Sequence, residues 1–380
     1  MKMSQIRVKA VTVLILLAAL IFAACGGEPE ETGSTTETLP GVSETEASTE
    51  PQGISSWYTA DPSEFRFSHE SVCEVKVPTR LYPVFSDIAE ATGCVLPALP
   101  ENFVPQGLDY WEEAGWFIIS GYFNPTDKYE YAVLLGVDAE TGEYVAEWEL
   151  YEKDGQRHTG HDGGVAVTSE NIYLSTAYTL FQIPIADIKK SGGSGPLRFT
   201  EHIEVPVKAS FANCSGDYVY VGEFSLNGNA SYTITGHEYG GNYAWCAAYR
   251  IEPGTVRGIS DYPEFVFSIP EKIQGFAALD DGRLFMTCSY GRGNDSSLYI
   301  TRTDPRASSP VSKVEIGGSK IPLYAVGEYD SVNAISMAEG CCVAGGSAYV
   351  IFESGAFYYR AYSSSVSKYP TDRIWRVTVD

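Results

Sequence analysis

Acidic and imidazole side chains at two places in the sequence have the chemistry for proton transfer or metal binding. The segment His158-Thr-Gly-His161-Asp162 combines two histidines with a carboxylate, and imidazole both titrates near neutral pH and binds metals. Further along, Glu339 and Glu353 could act as a carboxyl pair in acid–base work or supply oxygen ligands to calcium. The candidate catalytic residues of a metal-assisted hydrolase are therefore His161, Asp162, Glu339 and Glu353.

Each of these groups also has a structural interpretation. The two histidines lie three residues apart in a loop with no third His nearby, so they could simply stabilise that loop. Glu353 could form an ordinary ion pair with Arg292. The sequence has no Asp-rich calcium loop, and no nucleophile elbow, phosphate loop or dinucleotide fingerprint occurs in a supporting context. The cofactor therefore stays unknown, with calcium or another divalent ion as one option.

The candidate residues belong to a pattern that occurs five times along the chain. Each copy has a polar residue, small residues, an apolar strand, a tight turn and a second apolar strand. Spacings of roughly 50 to 65 residues fit four-stranded propeller blades with loop insertions. Helical periodicity is confined to short turns near 86–92 and 186–190. The pattern predicts an all-β protein, a β-propeller of five blades. The copies start at Gln106, His161, Ser210, Gln274 and Glu339.

The two ends of this repeat region indicate how the ring of blades closes. The chain ends on a strand-like segment, 372–379, that has no following partner. We expect the N-terminal strand Val72–Val77 to pair with it, because closure protects a strand edge that would otherwise be open. Residues 57–100 offer only this one convincing strand, which favours five blades over the alternative of six. An outer hairpin is also predicted from 298–303 and 312–316.

Polar residues concentrate on one face of the predicted propeller. In this fold the innermost strand of a blade starts on the same face on which the second strand ends. Both places are polar or aromatic in most copies, whereas the opposite turns are typical solvated hairpins, and converging polar groups favour a ligand site. Hydrogen bonding between neighbouring blades is the structural alternative. Besides His161 and Glu339, the predicted ligand-binding residues are Gln106, Tyr122, Ser210, Glu223, Gln274, Tyr290 and Arg292.

The copies resemble a group of secreted bacterial β-propeller proteins. The resemblance covers roughly residues 100–380 and implies the fold, but it brings no catalytic residues. A more distant likeness to regucalcin and lactonase-type propellers rests on architecture alone, and with it the lactonase- or esterase-like alternative. The segments that carry the resemblance are Pro105-Gln106-Gly107, His161 to Ala166, Ala209-Ser210-Phe211, Gln274-Gly275 with Ser289 to Arg292, and Glu339-Gly340 with Glu353 to Ala356.

The N-terminal segment is typical of a signal peptide. Three basic residues precede an apolar run from Val11 to Ala24, which is shorter than the roughly 20 residues of a membrane-spanning helix. The sequence from Phe22 to Cys25 resembles a bacterial lipobox, with Phe22 where leucine is preferred. The resemblance implies cleavage before Cys25 and a lipid on its thiol, which anchors the protein to the membrane. An ordinary signal peptide with a chance cysteine is the alternative.

Composition predicts three regions and limits the partners. Residues 1–24 form the signal peptide, and 25–56 form an acidic tether with seven Glu and no Lys or Arg, too polar to fold. The propeller domain spans 57–380. The net charge of −23 argues against nucleic acid, which requires a basic surface. We expect an extracytoplasmic, lipid-anchored protein that binds a small molecule, a glycan or a protein; an exported hydrolase and a structural scaffold are the alternatives.

Cysteine usage leaves the redox state open. Seven cysteines follow Cys25, so at least one has no partner within the chain. An exported protein can form disulfides, and two pairs, Cys73 with Cys94 and Cys214 with Cys246, are candidates. Buried free thiols, which pack as small apolar side chains, fit the sequence equally well.

Overall fold

The structure is a computed structural model that describes residues 56–123, 131–361 and 367–379. The predicted signal peptide, Cys25 and nearly all of the tether lie outside the described residues. Within the described part, the helices are too short or too polar to cross a membrane.

Strands dominate the described chain. The first twelve are β1 (Ala89–Val95), β2 (Phe103–Trp111), β3 (Trp116–Phe123), β4 (Ala132–Asp138), β5 (Tyr144–Tyr151), β6 (Gly164–Val167), β7 (Asn171–Thr176), β8 (Thr179–Pro184), β9 (Ser194–Arg198), β10 (Glu201–Glu204), β11 (Phe211–Ser215) and β12 (Tyr218–Gly222). The others are β13 (Ala244–Arg250), β14 (Phe265–Ile269), β15 (Ile273–Ala278), β16 (Leu284–Cys288), β17 (Ser296–Thr301), β18 (Ser312–Ile316), β19 (Ser319–Ala325), β20 (Tyr329–Ala334), β21 (Ala338–Ala344), β22 (Ser347–Phe352) and β23 (Arg373–Val377).

The helices are short and lie between strands. They are α1 (Pro83–Ile88), α2 (Ile185–Ser191) and α3 (Phe357–Ala361), with single 3-10 turns at Pro62–Glu64, Pro305–Ala307 and Glu353–Gly355. The helical turn predicted near 186–190 is confirmed by α2. The one predicted near 86–92 is mostly strand β1, because the helix begins earlier, at Pro83, whose fixed backbone angle suits a first helical position.

The strands form five sheets, which are the blades of the predicted five-bladed β-propeller. Blade 1 has the order β2-β3-β4-β5-β9, blade 2 the order β6-β7-β8-β10, and blade 3 the order β11-β12-β13-β14-β19-β18. Blade 4 has the order β15-β16-β17-β20, and blade 5 the order β21-β22-β23-β1. The all-β class and the five blades are confirmed. The apolar core lies between neighbouring blades; for example, Trp116 and Trp148 of blade 1 pack with Val165 and Ile172 of blade 2.

An N-terminal strand closes the ring, as predicted, but the strand is β1 rather than Val72–Val77. β1 pairs with the C-terminal strand β23, with Ala89 opposite Val377. Val72–Val77 forms no strand, and the buried carboxylate of Asp372 accepts hydrogen bonds from its first two backbone N–H groups at 2.7 and 3.2 Å. Val72 packs on the core between blades 5 and 1, and Val75 and Val77 pack on the core between blades 4 and 5. The apolar pattern therefore indicated a packed segment but not the strand that pairs with β23.

Two sheets gain strands from elsewhere in the chain. β9 pairs in parallel with β5 of blade 1, and β19 pairs in parallel with β14 of blade 3. The predicted outer hairpin of 298–303 with 312–316 is therefore wrong: β17 pairs with β20, while β18 pairs with β19. The added strands cover the outer edges of blades 1 and 3, which would otherwise present unpaired backbone groups.

All seven described cysteines are free thiols, so neither predicted disulfide forms. Cys214 and Cys246 lie on β11 and β13 of the same blade, separated by β12. Burial, with smaller contributions from nearby carboxylates, raises the pKa of both thiols well above its usual value. These thiols therefore stay protonated and pack as small apolar groups.

The innermost strands β2, β6, β11, β15 and β21 crowd together at the axis. A Cβ atom on Gly164 would lie 1.8 Å from the backbone nitrogen of Ala212, and one on Gly340 would lie 2.6 Å from the carbonyl oxygen of Gln106. Glycine is required at these positions because the backbones of neighbouring blades meet there with no room for a side chain.

A single carboxylate at the axis connects the crowded strands. Asp109 of β2 is 2% exposed, and it accepts hydrogen bonds from the backbone N–H groups of Val167 in blade 2 and Cys214 in blade 3. It also accepts from the side-chain amide of Asn213, which donates in turn to the carbonyl of Cys341 in blade 5. Ser215 extends the network to blade 4 by accepting from the N–H of residue 278. One polar network thus reaches all five blades.

We predict that Gly164→Ala destabilises the protein by about 2 kcal/mol or more, because the added methyl group overpacks the axis. The matched control is Gly93→Ala in β1, where a Cβ atom meets nothing within 4 Å, so the change should stay within about 0.5 kcal/mol. Urea unfolding of both variants measures the difference. Equal stabilities would show that the axis has room to relax.

Candidate functional site

Irregular strand pairing positions the polar side chains of the face where the innermost strands begin, here called the mouth face. The register of β2 shifts between Pro105 and Gly107, that of β15 between Ile273 and Gly275, and that of β21 just after Ala338. Bulges of this kind leave a residue outside the regular ladder and re-aim its side chain. The residues released in this way are Gln106, Gln274 and Glu339.

A pair of carboxyl groups occupies the mouth face. Glu339, in β21, is 4% exposed, and Glu353, just after β22 of the same blade, is close enough for the two charges to interact. The side-chain amide of Gln274 in blade 4 donates to Glu339 at 3.1 Å, and that of Gln106 in blade 1 donates to Glu353 at 3.1 Å. Each carboxyl group is thus held by the blade on one side of blade 5.

Both carboxyl groups bind protons more tightly than usual. Burial, followed by the charge of Glu353, raises the pKa of Glu339 well above its usual range. Burial raises the pKa of Glu353 to about 7, although Gln106, Arg292 and Tyr359 act in the opposite direction. Two like charges side by side in a dehydrated site cannot both form easily. The pair therefore holds at least one proton near neutral pH.

Aromatic rings and one guanidinium group surround the pair. The rings of Tyr122 and His161 stack at 4.2 Å with an angle of 17° between their planes. The Tyr359 hydroxyl is close enough to Tyr122 and Glu353 to lower the pKa of both groups, although burial outweighs it at each. Arg292 lies over the ring of Tyr359, with 4.7 Å between the guanidinium carbon and the ring centre. We call this group the mouth cluster: Gln106, Tyr122, His161, Gln274, Arg292, Glu339, Glu353 and Tyr359.

The three residues His158, His161 and Asp162 do not form one site. His161 stacks on Tyr122, whereas Asp162 turns away and accepts a hydrogen bond from His158 at 2.8 Å. The other nitrogen of His158 lies 2.5 Å from Glu152. Burial alone would lower the pKa of His158, but Asp162 and Glu152 raise it to about 9. His158 is therefore a buried cation that neutralises the carboxylate of Asp162.

In the part of the chain that the structure describes, no set of side chains is suited to bind a metal ion. Among those residues, three or more His, Cys, Asp or Glu side chains are nowhere grouped closely enough to hold an ion. We therefore derive no chemistry through calcium or another divalent ion at the mouth cluster.

Other predicted ligand-binding residues lie outside the mouth cluster. Ser210 precedes β11, and its backbone N–H donates to the carbonyl of Gly222. Tyr290 is 46% exposed and lies beside Phe224, with 6.0 Å between the ring centres. Glu223 is fully buried at the end of β12 and takes part in a separate cluster.

That separate cluster contains a histidine that the sequence analysis missed. Nδ1 of His237 lies 2.6 Å from Oε1 of Glu223, and the His237 ring stacks on Trp245 with 3.6 Å between ring centres. The backbone N–H of Trp245 also donates to Glu223. Within the described residues, three buried groups have no hydrogen-bond partner: the second carboxylate oxygen of Glu223, the Ser225 hydroxyl and the Trp245 indole N–H. His237 comes from the long connection between β12 and β13, where no motif signals its position.

The opposite face, where the hairpin turns lie, carries a cavity of about 1000 Å³. Residues from all five blades line it, including Asp109, Trp111 and Cys214. From the sequence these turns are predicted to be ordinary solvated hairpins, since Glu112, Glu113 and Asp280 are each typical of an exposed turn. Five separate turns enclose the cavity, and none of them alone has a sequence pattern that predicts it.

The five sheets and the polar mouth face define the class of this protein: it is a five-bladed β-propeller. Neither the protein families nor the curated proteins that we compared with it give a match. Among solved structures it is similar to the glutaminyl cyclase of Myxococcus xanthus, with 12% identity and a TM-score of 0.39, over 77% of this chain and 96% of that one.

It is also similar to the PQQ-bound aldose sugar dehydrogenase of Streptomyces coelicolor, with 15% identity and a TM-score of 0.43, over 77% of this chain and 98% of that one. Likeness at this level transfers no activity, since one fold hosts many functions.

We predict that His158→Gln changes how stability depends on pH. The pKa of His158 is raised on folding, so its contribution is fully present below pH 6.5 and is lost as the pH rises through about 9. Wild type should exceed the variant by up to about 3 kcal/mol at low pH, and the difference should shrink toward pH 9. Urea unfolding over this range measures it.

His202→Gln is the control for this experiment. His202 also pairs with Glu152, at 3.2 Å, but its side chain is 38% exposed, and exposed pairs contribute about 1 kcal/mol at most. A difference between wild type and His158→Gln that does not vary with pH would contradict the interpretation of His158 as a buried cation.

Proposed function

We propose that this protein is a lipid-anchored, extracytoplasmic binding protein whose propeller takes a ligand at the mouth cluster. The observation that carries the proposal is the carboxyl pair of Glu339, which is buried, and Glu353, which is half-buried; the amides of Gln106 and Gln274 hold the pair from the neighbouring blades. The ligand is a small molecule, a glycan or an exposed group of a protein. The short apolar N-terminal run that ends at Cys25 supports export and anchoring.

The carboxyl pair is difficult to explain as a scaffold feature. Dehydrating two neighbouring carboxyl groups is unfavourable, and apolar side chains of similar size usually stabilise such a position better. Groups whose pKa is strongly shifted concentrate at functional sites. The tight packing of the axis is already supplied by glycines such as Gly164 and Gly340. The polar residues at the mouth therefore support binding rather than assembly of the ring.

We predict that Glu339→Gln abolishes ligand binding while the melting temperature stays within about 2 °C of wild type. The variant should fold because Gln resembles the protonated carboxyl group and keeps the oxygen that accepts from Gln274. The measurement is the thermal shift of wild type and variant against a library of glycans and small metabolites. Asp280→Asn, an exposed carboxylate on the opposite face, is the control and should respond to ligands like wild type.

Two results would contradict the proposal. One is a large loss of stability in Glu339→Gln with no compound in the library that stabilises wild type, which would favour the scaffold. The other is a ligand whose stabilising effect persists in Glu339→Gln and Glu353→Gln but is lost in variants of the opposite face.

A second candidate function, an exported hydrolase, is favoured by one observation. Glu353 has a pKa of about 7 beside a second carboxyl group, which suits a general acid or base at neutral pH. Turnover of chromogenic esters or lactones by wild type, lost in Glu353→Gln but kept in Asp280→Asn, would establish it. An inert wild-type protein that still binds ligands would leave binding as the function.

We predict that Cys25→Ser releases the mature protein or blocks its processing. Without the thiol there is no attachment point for the lipid, and a hydrophilic protein then stays in the aqueous phase. Partitioning between detergent and water measures the change. If the variant partitions into detergent as wild type does, Cys25 is not the anchor.

A further inference from the structure

The mouth cluster already contains one cation of the chain itself. Arg292 lies over the rings of Tyr358 and Tyr359, at 5.0 and 4.7 Å from the guanidinium carbon to the ring centres. It is also close enough to Glu353 to act on that carboxyl group. Aromatic faces beside a carboxylate are a favourable environment for a positive charge. This part of the mouth cluster therefore accommodates a positively charged group.

The second carboxyl group has no such cation. Glu339 is 96% buried, given its exposed fraction of 4%, and its Oε1 accepts from the amide of Gln274. Among the described residues, no hydrogen bond reaches its Oε2, and no Lys, Arg or His side chain forms an ion pair with it. A buried carboxylate without a cation is unfavourable, so it binds a proton unless another positive charge is supplied.

The ring of Tyr122 lies close enough to both carboxyl groups for their charges to act on its hydroxyl. His161 stacks on that ring, and its partial burial lowers its pKa. At neutral pH His161 is therefore an uncharged aromatic surface, and it does not supply the missing cation. Glu339 thus lies near the ring of Tyr122, on which His161 stacks, and has no cation of its own among the described residues.

We propose that the mouth cluster binds its ligand through a protonated primary amine, which donates to Oε2 of Glu339 and neutralises that carboxylate. The inference rests on the proposed binding function and names its ligand class, a small organic amine such as an amino sugar or a diamine. A hydroxyl group could donate one hydrogen bond but would leave the charge uncompensated. An anion would be repelled by the pair and by the net charge of −23.

Proton exchange follows from the same arrangement. An amine that binds beside Glu339 replaces the proton that this carboxyl group otherwise holds, so binding should release protons and should strengthen as the pH rises, until the amine itself loses its proton. The groups that face the pair and could modify this dependence are Glu353 and Tyr122 beside Glu339, Arg292 and Tyr359 beside Glu353, and His161 on Tyr122.

Isothermal titration with matched compounds tests the proposal. Glucosamine is compared with N-acetylglucosamine and glucose, and 1,5-diaminopentane with 1,5-pentanediol. We expect saturable binding of at least one amine to wild type, and about tenfold or more weaker binding of its uncharged analogues, since a charge-assisted hydrogen bond is lost. Titration in two buffers of different ionisation enthalpy counts the protons released.

Two variants test whether Glu339 is the group that binds the amine. Glu339→Gln should weaken binding of the amine about tenfold or more and abolish the proton release, whereas Asp280→Asn on the opposite face should match wild type. The melting temperature of each variant shows that the fold is intact.

The possible failures are distinguishable. If the uncharged analogues bind as tightly as the amines and still require Glu339, the binding site stands and the amine inference is wrong. If the amines bind wild type and Glu339→Gln equally, or show no saturation below about 10 mM, the inference is wrong, and the library screen with Glu339→Gln and Glu353→Gln then decides separately whether the mouth cluster is a binding site.

Discussion

Asp109 joins strands that the hydrophobic effect alone would only press together. Five innermost strands approach so closely that their backbone N–H groups have little access to water, and each such group needs a partner. One carboxylate accepts from backbone groups of blades 2 and 3, and Asn213 and Ser215 carry the network to blades 5 and 4. Burial raises the pKa of Asp109 to about 7, while the hydrogen bonds that it accepts act in the opposite direction. These hydrogen bonds fix the innermost strands relative to one another at the ends that lie near Asp109.

That fixed centre allows the mouth face to be irregular. Strands anchored at one end can carry bulges at the other, and the bulges at Gln106, Gln274 and Glu339 bring amide and carboxyl groups of three blades together. Glu339, which lies on the innermost strand β21, is buried there, and burial raises its pKa. The unusual electrostatics of the mouth cluster are therefore a consequence of backbone packing, together with the choice of residues at three bulged positions.

The repeat made much of this arrangement predictable. The period of the strands and the polar residues at strand starts were enough to indicate five blades and to select Gln106, Gln274, Glu339 and Glu353. The sequence was misleading where two segments compete for the same strand position. Apolar and polar residues alternate more clearly in Val72–Val77 than in β1, yet it is β1 that pairs with β23. Groups such as Asp109 and His237 could not be found, because their partners are distant in sequence and each alone resembles an ordinary polar residue.

Closure of the ring by β1 and β23 has a further consequence for how the chain reaches its folded state. Nearly the whole domain lies between these two strands, so the last blade is complete only after the C-terminus is available. Contacts of such long sequence separation form slowly. If the protein is exported as we propose, its N-terminal part emerges first and β1 stays unpaired until β23 follows; such an edge invites association with other chains. Its acidic character provides repulsion between chains during that interval.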